Sequence, residues 1–197
     1  HTVGGDGGSN AADALEGFRR FPQWMWRNSD MLDFAGWLRQ HNQPLPEHLR
    51  VHLHGLDLYS MNESIHEVVS YLERIDPAEA RRFAGRYACF DHFGGDTRRY
   101  GLFAGTGISR NCEEEVVGAL AELRMKKSSL LAWDGDAAAE AFFSAERNAA
   151  AVADAESYYR TMFRGDIHSW NLRDRHMMDT LLAVMERRRE RHGTART

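Results

Sequence analysis

Apolar residues recur every three or four positions along most of the chain, a spacing typical of amphipathic α-helices. Asp76-Pro77 is a strong helix start, because aspartate caps exposed N–H groups and proline fits the first helical position. Asn28 or Ser29 caps an earlier helix, and Ser60 or Asn62 begins another. The first half therefore has four predicted helices, at about 11–20, 29–42, 62–75 and 78–90.

A segment rich in glycine and arginine, Gly94 to Gly107, is predicted to be a loop. Gly135 and Gly165 then occupy positions where helix C-terminal caps are expected. They separate three long predicted helices, at about 109–132, 136–163 and 169–191.

The helix predicted at about 136–163 has apolar residues at helical spacing along one face, which we call its apolar ladder. Glu156 occupies one position of this ladder that would otherwise be apolar. Glu156 either specifies helix pairing or lines a cleft. The ladder predicts antiparallel helix packing, and hence a mainly α fold of packed helical hairpins. Its apolar members are Phe142, Ala145, Ala149, Val152, Tyr159 and Phe163.

One segment, at about 51–58, alternates in a way that predicts a β-strand. Both of its faces are partly apolar, as in a strand buried within a parallel sheet. A lone strand cannot satisfy its own backbone hydrogen bonds. We therefore expect this strand to belong to the α/β core of a larger parent fold, and an unpaired strand also predicts self-association.

The domain organisation follows from these elements. Residues 1–10 are predicted to be a flexible N-terminal segment, 11–192 a single, mostly helical domain, and 193–197 a flexible tail. Because the first residue is His1 rather than methionine and a glycine-rich stretch follows, we expect the chain to start partway through a larger protein.

Composition excludes several function classes. The formal net charge of −4, with both signs mixed along the chain, gives no basic face for nucleic acid. No apolar run is long enough to predict a membrane span. Cys89 and Cys112 have no metal-ligand spacing and are interpreted as unpaired thiols, which predicts a cytoplasmic location.

The sequence lacks the short motifs of several enzyme classes. There is no G-x-S-x-G turn for a serine nucleophile, no phosphate-binding G-x-x-x-x-G-K-[ST] loop, no G-x-G-x-x-G and no H-E-x-x-H. No cofactor is predicted. Glu63 and His66 form E-x-x-H on a helix, but a di-iron bundle needs two such motifs and two more glutamates, so a solvent-facing pair is the preferred interpretation.

Four blocks together resemble the erythromycin esterase-like family. They contain Trp-Met-Trp-Arg-Asn, Gly-Leu-Asp-Leu-Tyr-Ser, Arg-Tyr-Ala-Cys-Phe-Asp and Trp-Asn-Leu-Arg-Asp, and lie at 17–28, 55–60, 86–91 and 169–177. The resemblance implies a parent hydrolase with an α/β core and a helical portion that walls a cleft. Members of known activity open the lactone ester of macrolide antibiotics, which implies a small ester or macrolide-like substrate and a role in macrolide resistance.

The same resemblance implies that catalysis depends on Gly-Glu-x-x-His-Gly, a further glutamate and Trp-Ala-His-Asn-x-His. Neither motif occurs in this sequence. Ester hydrolysis by an activated water needs a positioned base and a stabiliser of the oxyanion. No catalytic residue is therefore assigned here, and the isolated chain is predicted to be inactive.

Five residues are candidates for substrate binding: Arg27, Asp57, Asn171, Arg173 and Asp174. Arg27 either faces the cleft or stacks on a neighbouring tryptophan. Asp57 either lies at a strand's carboxyl end, where ligands gather, or is structural, capping the neighbouring helix or pairing with an arginine. Asp174 shares a helical stripe with Met178, which predicts an inward carboxylate that needs a partner, from Arg173 or from an arginine of another helix.

His176 is interpreted as a surface or packing residue rather than a base. The aromatic residues are interpreted as core in preference to a macrolide-sized pocket. The function predicted first is the helical, cleft-forming part of such a hydrolase. The alternatives are a non-catalytic helical binding or interaction module derived from that family, and a metal-dependent oxidoreductase that would rest on Glu63 and His66 alone.

Overall fold

The computed structural model describes residues 12, 15, 23–46, 49–131, 135–163 and 167–192. Predictions for the flexible ends and for the cap at Gly165 lie outside these ranges, as does most of the helix predicted at 11–20, of which Ala12 and Leu15 are helical. The described ranges are mainly α-helical, as predicted. None of their helices combines the length and hydrophobicity that crossing a membrane requires.

The chain divides into two compact units, 1–55 with 185–197, and 56–184. The prediction of one domain over 11–192 stays a prediction. The first unit contains α1 (Gln23–Trp26) and α2 (Ser29–Asn42). The Asn28 side chain caps α2 by accepting from the Met31 N–H at 2.8 Å, so the cap predicted at Asn28 or Ser29 is at Asn28.

The strand predicted at 51–58 is wrong. These residues are not a strand, and the described ranges contain no strand with which they could pair. Val51 instead exchanges two hydrogen bonds with the Asn42 side chain, at 2.7 and 2.9 Å. Exposure still alternates, since Val51 and Leu53 are exposed while His52 and His54 are half-buried. Alternating exposure is therefore not enough to make a strand, because a ladder needs a neighbour.

The second unit begins with α3 (Met61–Ile75) and α4 (Pro77–Tyr87). Asp76 accepts from the N–H groups of Ala78 and Glu79, which confirms the predicted start of α4. A 3-10 helix, Ala88–Phe93, follows. The remaining helices are α5 (Thr97–Gly105), α6 (Glu113–Met125), α7 (Lys127–Leu131), α8 (Gly135–Met162) and α9 (Ile167–His192), the end of which belongs to the first unit.

Helix α8, 28 residues long, is the centre of the second unit and contacts α3, α5, α6 and α7. The ladder residues Phe142, Ala145, Ala149, Val152 and Tyr159 are buried, whereas Phe163 is exposed. Two predictions were wrong here. The segment 94–107 contains helix α5, and Gly135 begins α8 instead of capping the preceding helix.

Cys89 and Cys112 form a disulfide, with Cα atoms 6.0 Å apart, so the interpretation as unpaired thiols was wrong. Their separation of 23 residues gave no indication of the pairing. The 3-10 helix brings Cys89 to the start of α6, where Cys112 is buried. The bridge closes the loop that carries α5.

We expect Cys112→Ser to destabilise the chain by about 3–4 kcal/mol, because the bridge restricts a loop of this length in the unfolded state. Chemical denaturation of the oxidised chain and of the variant measures the difference. Adding a reductant should lower the stability of the wild type by a similar amount and leave the variant unchanged. Equal midpoints for oxidised and reduced wild type would contradict the pairing.

Candidate functional site

The second unit brings together Asp57 and Arg173, two of the predicted substrate-binding residues. Arg173 Nε donates to Asp57 Oδ1 at 3.1 Å, and its Nη2 donates to Oδ2 at 2.7 Å. This two-point geometry is the strongest arrangement for an arginine and a carboxylate. Asp57 precedes α3 and Arg173 lies in the second turn of α9, so the pair joins segments 116 residues apart.

Two tyrosines complete the cluster. The Arg173 guanidinium lies 4.6 Å from the centroid of the Tyr59 ring, within the range of a cation–π contact. The Tyr59 and Tyr158 hydroxyls are 3.3 Å apart, and their rings meet edge to face at 5.9 Å. We call Asp57, Tyr59, Tyr158 and Arg173 the Asp57–Arg173 cluster.

The charges of the cluster compensate each other. Hydrogen bonding to Asp57 is the main reason that the pKa of Arg173 is raised, so the guanidinium stays charged. The Arg173 side chain is 24% exposed and that of Asp57 34%, so both remain accessible to a ligand. Two of the five guanidinium N–H donors go to Asp57. The cluster can therefore orient a neutral oxygen-bearing group through arginine and tyrosine donors.

The tyrosines of the second unit predict a loss of stability at high pH. Burial, followed by the hydrogen bond with Tyr59, raises the pKa of Tyr158 to about 12, from 10.0. Burial also raises the pKa of Tyr87 and of Tyr100. A group that holds its proton more tightly in the folded state contributes stability below its unfolded pKa, and this is lost as the pH rises towards the folded value.

We therefore expect the free energy of unfolding to fall progressively between pH 10 and 12. Thermal melts at pH 8, 10 and 11 measure it, and absorbance near 295 nm follows phenolate formation. In Tyr158→Phe the fall should be smaller. Ionisation of all tyrosines near pH 10 without unfolding would contradict this.

The inward face of α9 is polar where an apolar stripe was expected. Ser169, His176 and Thr180 are buried and Arg173 is half-buried, a 4-3-4 spacing that defines one helical face. Asp174 and Met178 are exposed, so the prediction of an inward Asp174 was wrong. The prediction failed because it assumed that Met178 points to the interior and placed Asp174 on the same face of the helix.

His176 is 4% exposed, and its Nδ1 lies 2.7 Å from Asp154 Oδ2 on α8. His176 is therefore a packing residue and not a surface residue. It also has a carboxylate partner, which the sequence did not predict. A carboxylate at Nδ1 fixes the orientation of an imidazole ring. The i, i+3, i+7 spacing of Arg173, His176 and Thr180 was the signal that could have revealed this face.

The other predicted site residues lie elsewhere. Asn171 is exposed on α9. Arg27 is exposed in the first unit, and its role in binding stays a prediction. Glu63 and His66 lie on the exposed side of α3, and no group of three or more potential metal ligands occurs in the described ranges, so the oxidoreductase hypothesis gains no support.

Glu156 joins neighbouring helices, in agreement with the helix-pairing interpretation. It is 1% exposed and accepts from the Tyr100 hydroxyl at 2.6 Å and from Arg160 Nε at 2.8 Å. The Tyr100 oxygen in turn accepts from the Cys112 N–H at 2.9 Å. This buried network links α5, α8 and the start of α6.

The comparison with protein families decides where this chain belongs. The family described as erythromycin esterase matches residues 1–196. The chain belongs to the erythromycin esterase family. No solved structure matches it.

Two of the four blocks that resemble the erythromycin esterase family supply the Asp57–Arg173 cluster. The block 55–60 contributes Asp57 and Tyr59, and the block 169–177 contributes Arg173. The block 86–91 lies at the end of α4 and in the 3-10 helix. Part of the block 17–28 lies outside the described residues.

Aromatic residues of the erythromycin esterase-family chain divide between core and surface. Phe142, Tyr158 and Tyr159 are buried, as the core interpretation predicts. Trp24 and Trp26 are 68% and 43% exposed, so they contribute nothing to a core among the described residues.

Proposed function

We propose that this chain forms the helical, substrate-cleft part of a hydrolase that cleaves carboxylic esters such as macrolide lactones. The Asp57–Arg173 cluster carries the proposal. A guanidinium held at two points by a carboxylate and supported by a tyrosine ring is preorganised, and its unused donors can meet a substrate oxygen without reorganisation.

In this proposal the chain binds and orients the substrate, and other segments of the complete protein break the ester bond. Hydrolysis by an activated water needs a base beside the water and a stabiliser of the developing oxyanion. The glutamate and histidine motifs that the family resemblance implies for these roles do not occur in this sequence. Arg173 and the two tyrosines position the ester, and Asn171 and Asp174 remain proposed contacts around it. A substrate-binding role for Arg27, in the first unit, is a separate proposal.

We test the cluster by replacing Arg173 with lysine in the complete protein. Lysine keeps the charge but loses the two-point bond to Asp57, so we expect kcat/KM to fall at least about tenfold, chiefly through KM. Arg189→Lys is the matched control, because Arg189 bonds Glu186 at 3.1 Å on an exposed helix face. Unchanged kcat/KM in Arg173→Lys would overturn the proposed role.

The isolated chain is expected to show no ester hydrolysis. Purified residues 1–197 should neither open a macrolide ring nor release product from a simple aryl ester above the buffer rate. Saturable turnover by this chain would place the bond-breaking groups within it and refute the division of labour.

The second candidate is a non-catalytic helical module that binds a partner. Exposed aromatic side chains of the first unit favour it: Trp24, Phe34 and Trp37 are 68%, 40% and 54% exposed. An experiment on the complete protein distinguishes the two functions. Only a hydrolase would lose turnover when the Asp57–Arg173 cluster is altered.

Two further proposals concern the state of the chain. Self-association of the chain stays a proposal, which sedimentation velocity at several concentrations tests. A cytoplasmic location also stays a proposal. It rested on unpaired thiols, and the Cys89–Cys112 bridge removes that argument. Labelling of free thiols in fresh cell extract measures the redox state directly.

A further inference from the structure

The Cys89–Cys112 bridge lies beside a groove that shares no residue with the Asp57–Arg173 cluster. The groove has a volume of about 490 Å³, and Cys89 is one of the residues that line it. His92, three residues further along the 3-10 helix, lines it too, as do Asn111 and Glu115, which flank Cys112 in the sequence. The bridge therefore connects the two segments that form the walls of the groove.

The two halves of the bridge differ in access. Cys112 is 1% exposed, whereas Cys89 is half-buried and is the half that lines the groove. A thiolate attacks a disulfide sulfur in line with the S–S bond, from the side opposite the sulfur that leaves. Because Cys112 lies on the inner side, Cys89 is the sulfur open to attack and Cys112 is the leaving group.

The groove also carries a positive charge that is available to a ligand. The Arg99 guanidinium lies 5.8 Å from the centroid of the Phe103 ring, and both residues line the groove. Arg99 has no carboxylate partner within the described ranges. Arg110, the other arginine of the lining, is already paired with Glu115 at 3.1 Å and with Glu114 at 3.5 Å. Arg99 therefore favours a small molecule that carries a carboxylate.

We propose that the Cys89–Cys112 bridge is a thiol–disulfide exchange site, and that the groove admits an anionic low-molecular-weight thiol. Its thiolate attacks the Cys89 sulfur, the S–S bond of the bridge breaks, and Cys112 leaves as a thiolate that takes a proton from water. The product is a mixed disulfide between Cys89 and the small thiol. A second thiolate attacks the small-molecule sulfur of this mixed disulfide and releases Cys89. Two small thiols are thereby oxidised to one disulfide, and the protein bridge is reduced to two thiols.

Opening of the bridge acts on a loop that holds the second unit together. The Cys112 N–H donates to the Tyr100 hydroxyl at 2.9 Å, and this hydroxyl donates to Glu156 on α8. The bridge thus closes the same loop that carries the contact between α5 and α8. Exchange with a pool of small thiols sets how firmly this loop is held. The exchange requires no hydrolysis, so its test does not depend on the proposed function.

The first experiment maps the adduct on the oxidised full chain. Glutathione, a thiol with two carboxylates, is added without denaturant, the reaction is quenched with N-ethylmaleimide, and the peptides are analysed by mass spectrometry. We expect glutathione on Cys89 and N-ethylmaleimide on Cys112. An equal or larger amount of glutathione on Cys112 would overturn the proposal.

A second measurement distinguishes attack through the groove from reduction of unfolded chains. The rate of bridge opening is followed at several urea concentrations below the unfolding transition. Direct attack should change the rate less than about twofold per molar urea. Opening that requires global unfolding should accelerate at least about tenfold per molar, because the unfolded population rises steeply with denaturant. An acceleration of this size would refute a native exchange site.

The charge of the groove is tested with glutathione and with cysteamine, a thiol that carries an ammonium group. Each rate is divided by the rate of the same thiol on bis(2-hydroxyethyl) disulfide, which removes differences in intrinsic reactivity. The corrected rate should be at least about fivefold higher for glutathione, because Arg99 attracts one thiol and repels the other.

Arg99→Gln should lower this preference for glutathione to less than about twofold. Arg98→Gln is the matched control, because Arg98 is the exposed neighbour on α5 and does not line the groove, and it should keep the preference of the wild type. Equal corrected rates in the wild type, or a full preference in Arg99→Gln, would rule out selection of an anionic thiol by this groove.

Discussion

Replacing Gly101 by alanine is expected to destabilise the chain by more than about 3 kcal/mol, at the upper end of what overpacking a core costs. A Cβ at this position would lie 2.2 Å from the carbonyl oxygen of Tyr159 and 2.8 Å from its carbonyl carbon. These are backbone atoms of α8, so no side-chain rotation relieves the clash. Helix α5 would have to move away from α8, which is the centre of the second unit.

Gly105 repeats the contact one turn later, since its Cβ would lie 2.4 Å from the Arg160 carbonyl oxygen. Gly85→Ala is the matched control, because a Cβ there meets nothing within 4 Å. It replaces a glycine in the helix α4 and should stabilise the chain by about 1 kcal/mol through helix propensity. Urea denaturation of Gly101→Ala and Gly85→Ala measures the expected loss and gain of stability. A mild effect of Gly101→Ala, similar to that of Gly85→Ala, would contradict the close approach of α5 and α8.

These glycines explain why the sequence predicted a loop where helix α5 lies. Glycine signals either a turn or a close backbone approach, and a single sequence does not distinguish them, because the approaching backbone is more than 50 residues away. Local chemistry was predictable where the cause was also local. Helix α4 begins here because the Asp76 side chain accepts from its first N–H groups and Pro77 fits its first position.

The candidate site shows the same limit. Asp57 and Arg173 were each identified as binding residues, but their pairing depends on how α9 and the segment before α3 fold together. Asp174 was assigned to the interior because an apolar stripe was assumed for α9. The buried face is in fact polar, with Ser169, His176 and Thr180. Hydrophobic periodicity does not reveal such a face, and only the helical spacing of its polar residues could have indicated it. Cys89 and Cys112 were missed for a related reason, since spacing alone does not fix a disulfide.

Removal of the Glu156 carboxylate should have the second large effect. In Glu156→Ala, Arg160 loses the partner that it bonds at 2.8 and 3.2 Å, and the Tyr100 hydroxyl loses its acceptor. Breaking one side of a buried ion pair typically costs about 3–5 kcal/mol, because the remaining charge stays buried without compensation. Arg160 retains Glu113 at 3.0 Å, which places the expected loss near the lower end of that range.

Glu156→Gln is the control that separates charge from hydrogen bonding. Its amide oxygen can still accept from Tyr100 or Arg160 but carries no charge, so we expect it to be destabilised less than the alanine variant. Glu146→Ala removes a partner of Arg124 at 2.8 Å on a more exposed part of α8, and should cost at most about 1 kcal/mol. Equal stabilities for Glu156→Ala and Glu146→Ala would show that the buried network does not hold α5 against α8.

The Glu156 and Gly101 variants should also be non-additive, because Tyr100 precedes Gly101 on α5 and bonds Glu156 on α8. A clash at Gly101 already separates the two helices and breaks part of this bond. The double variant Gly101→Ala/Glu156→Ala is therefore expected to lose less stability than the sum of the two single losses, by at least about 0.5 kcal/mol. Additive losses would mean that the glycine contact and the carboxylate network stabilise the α5–α8 interface independently.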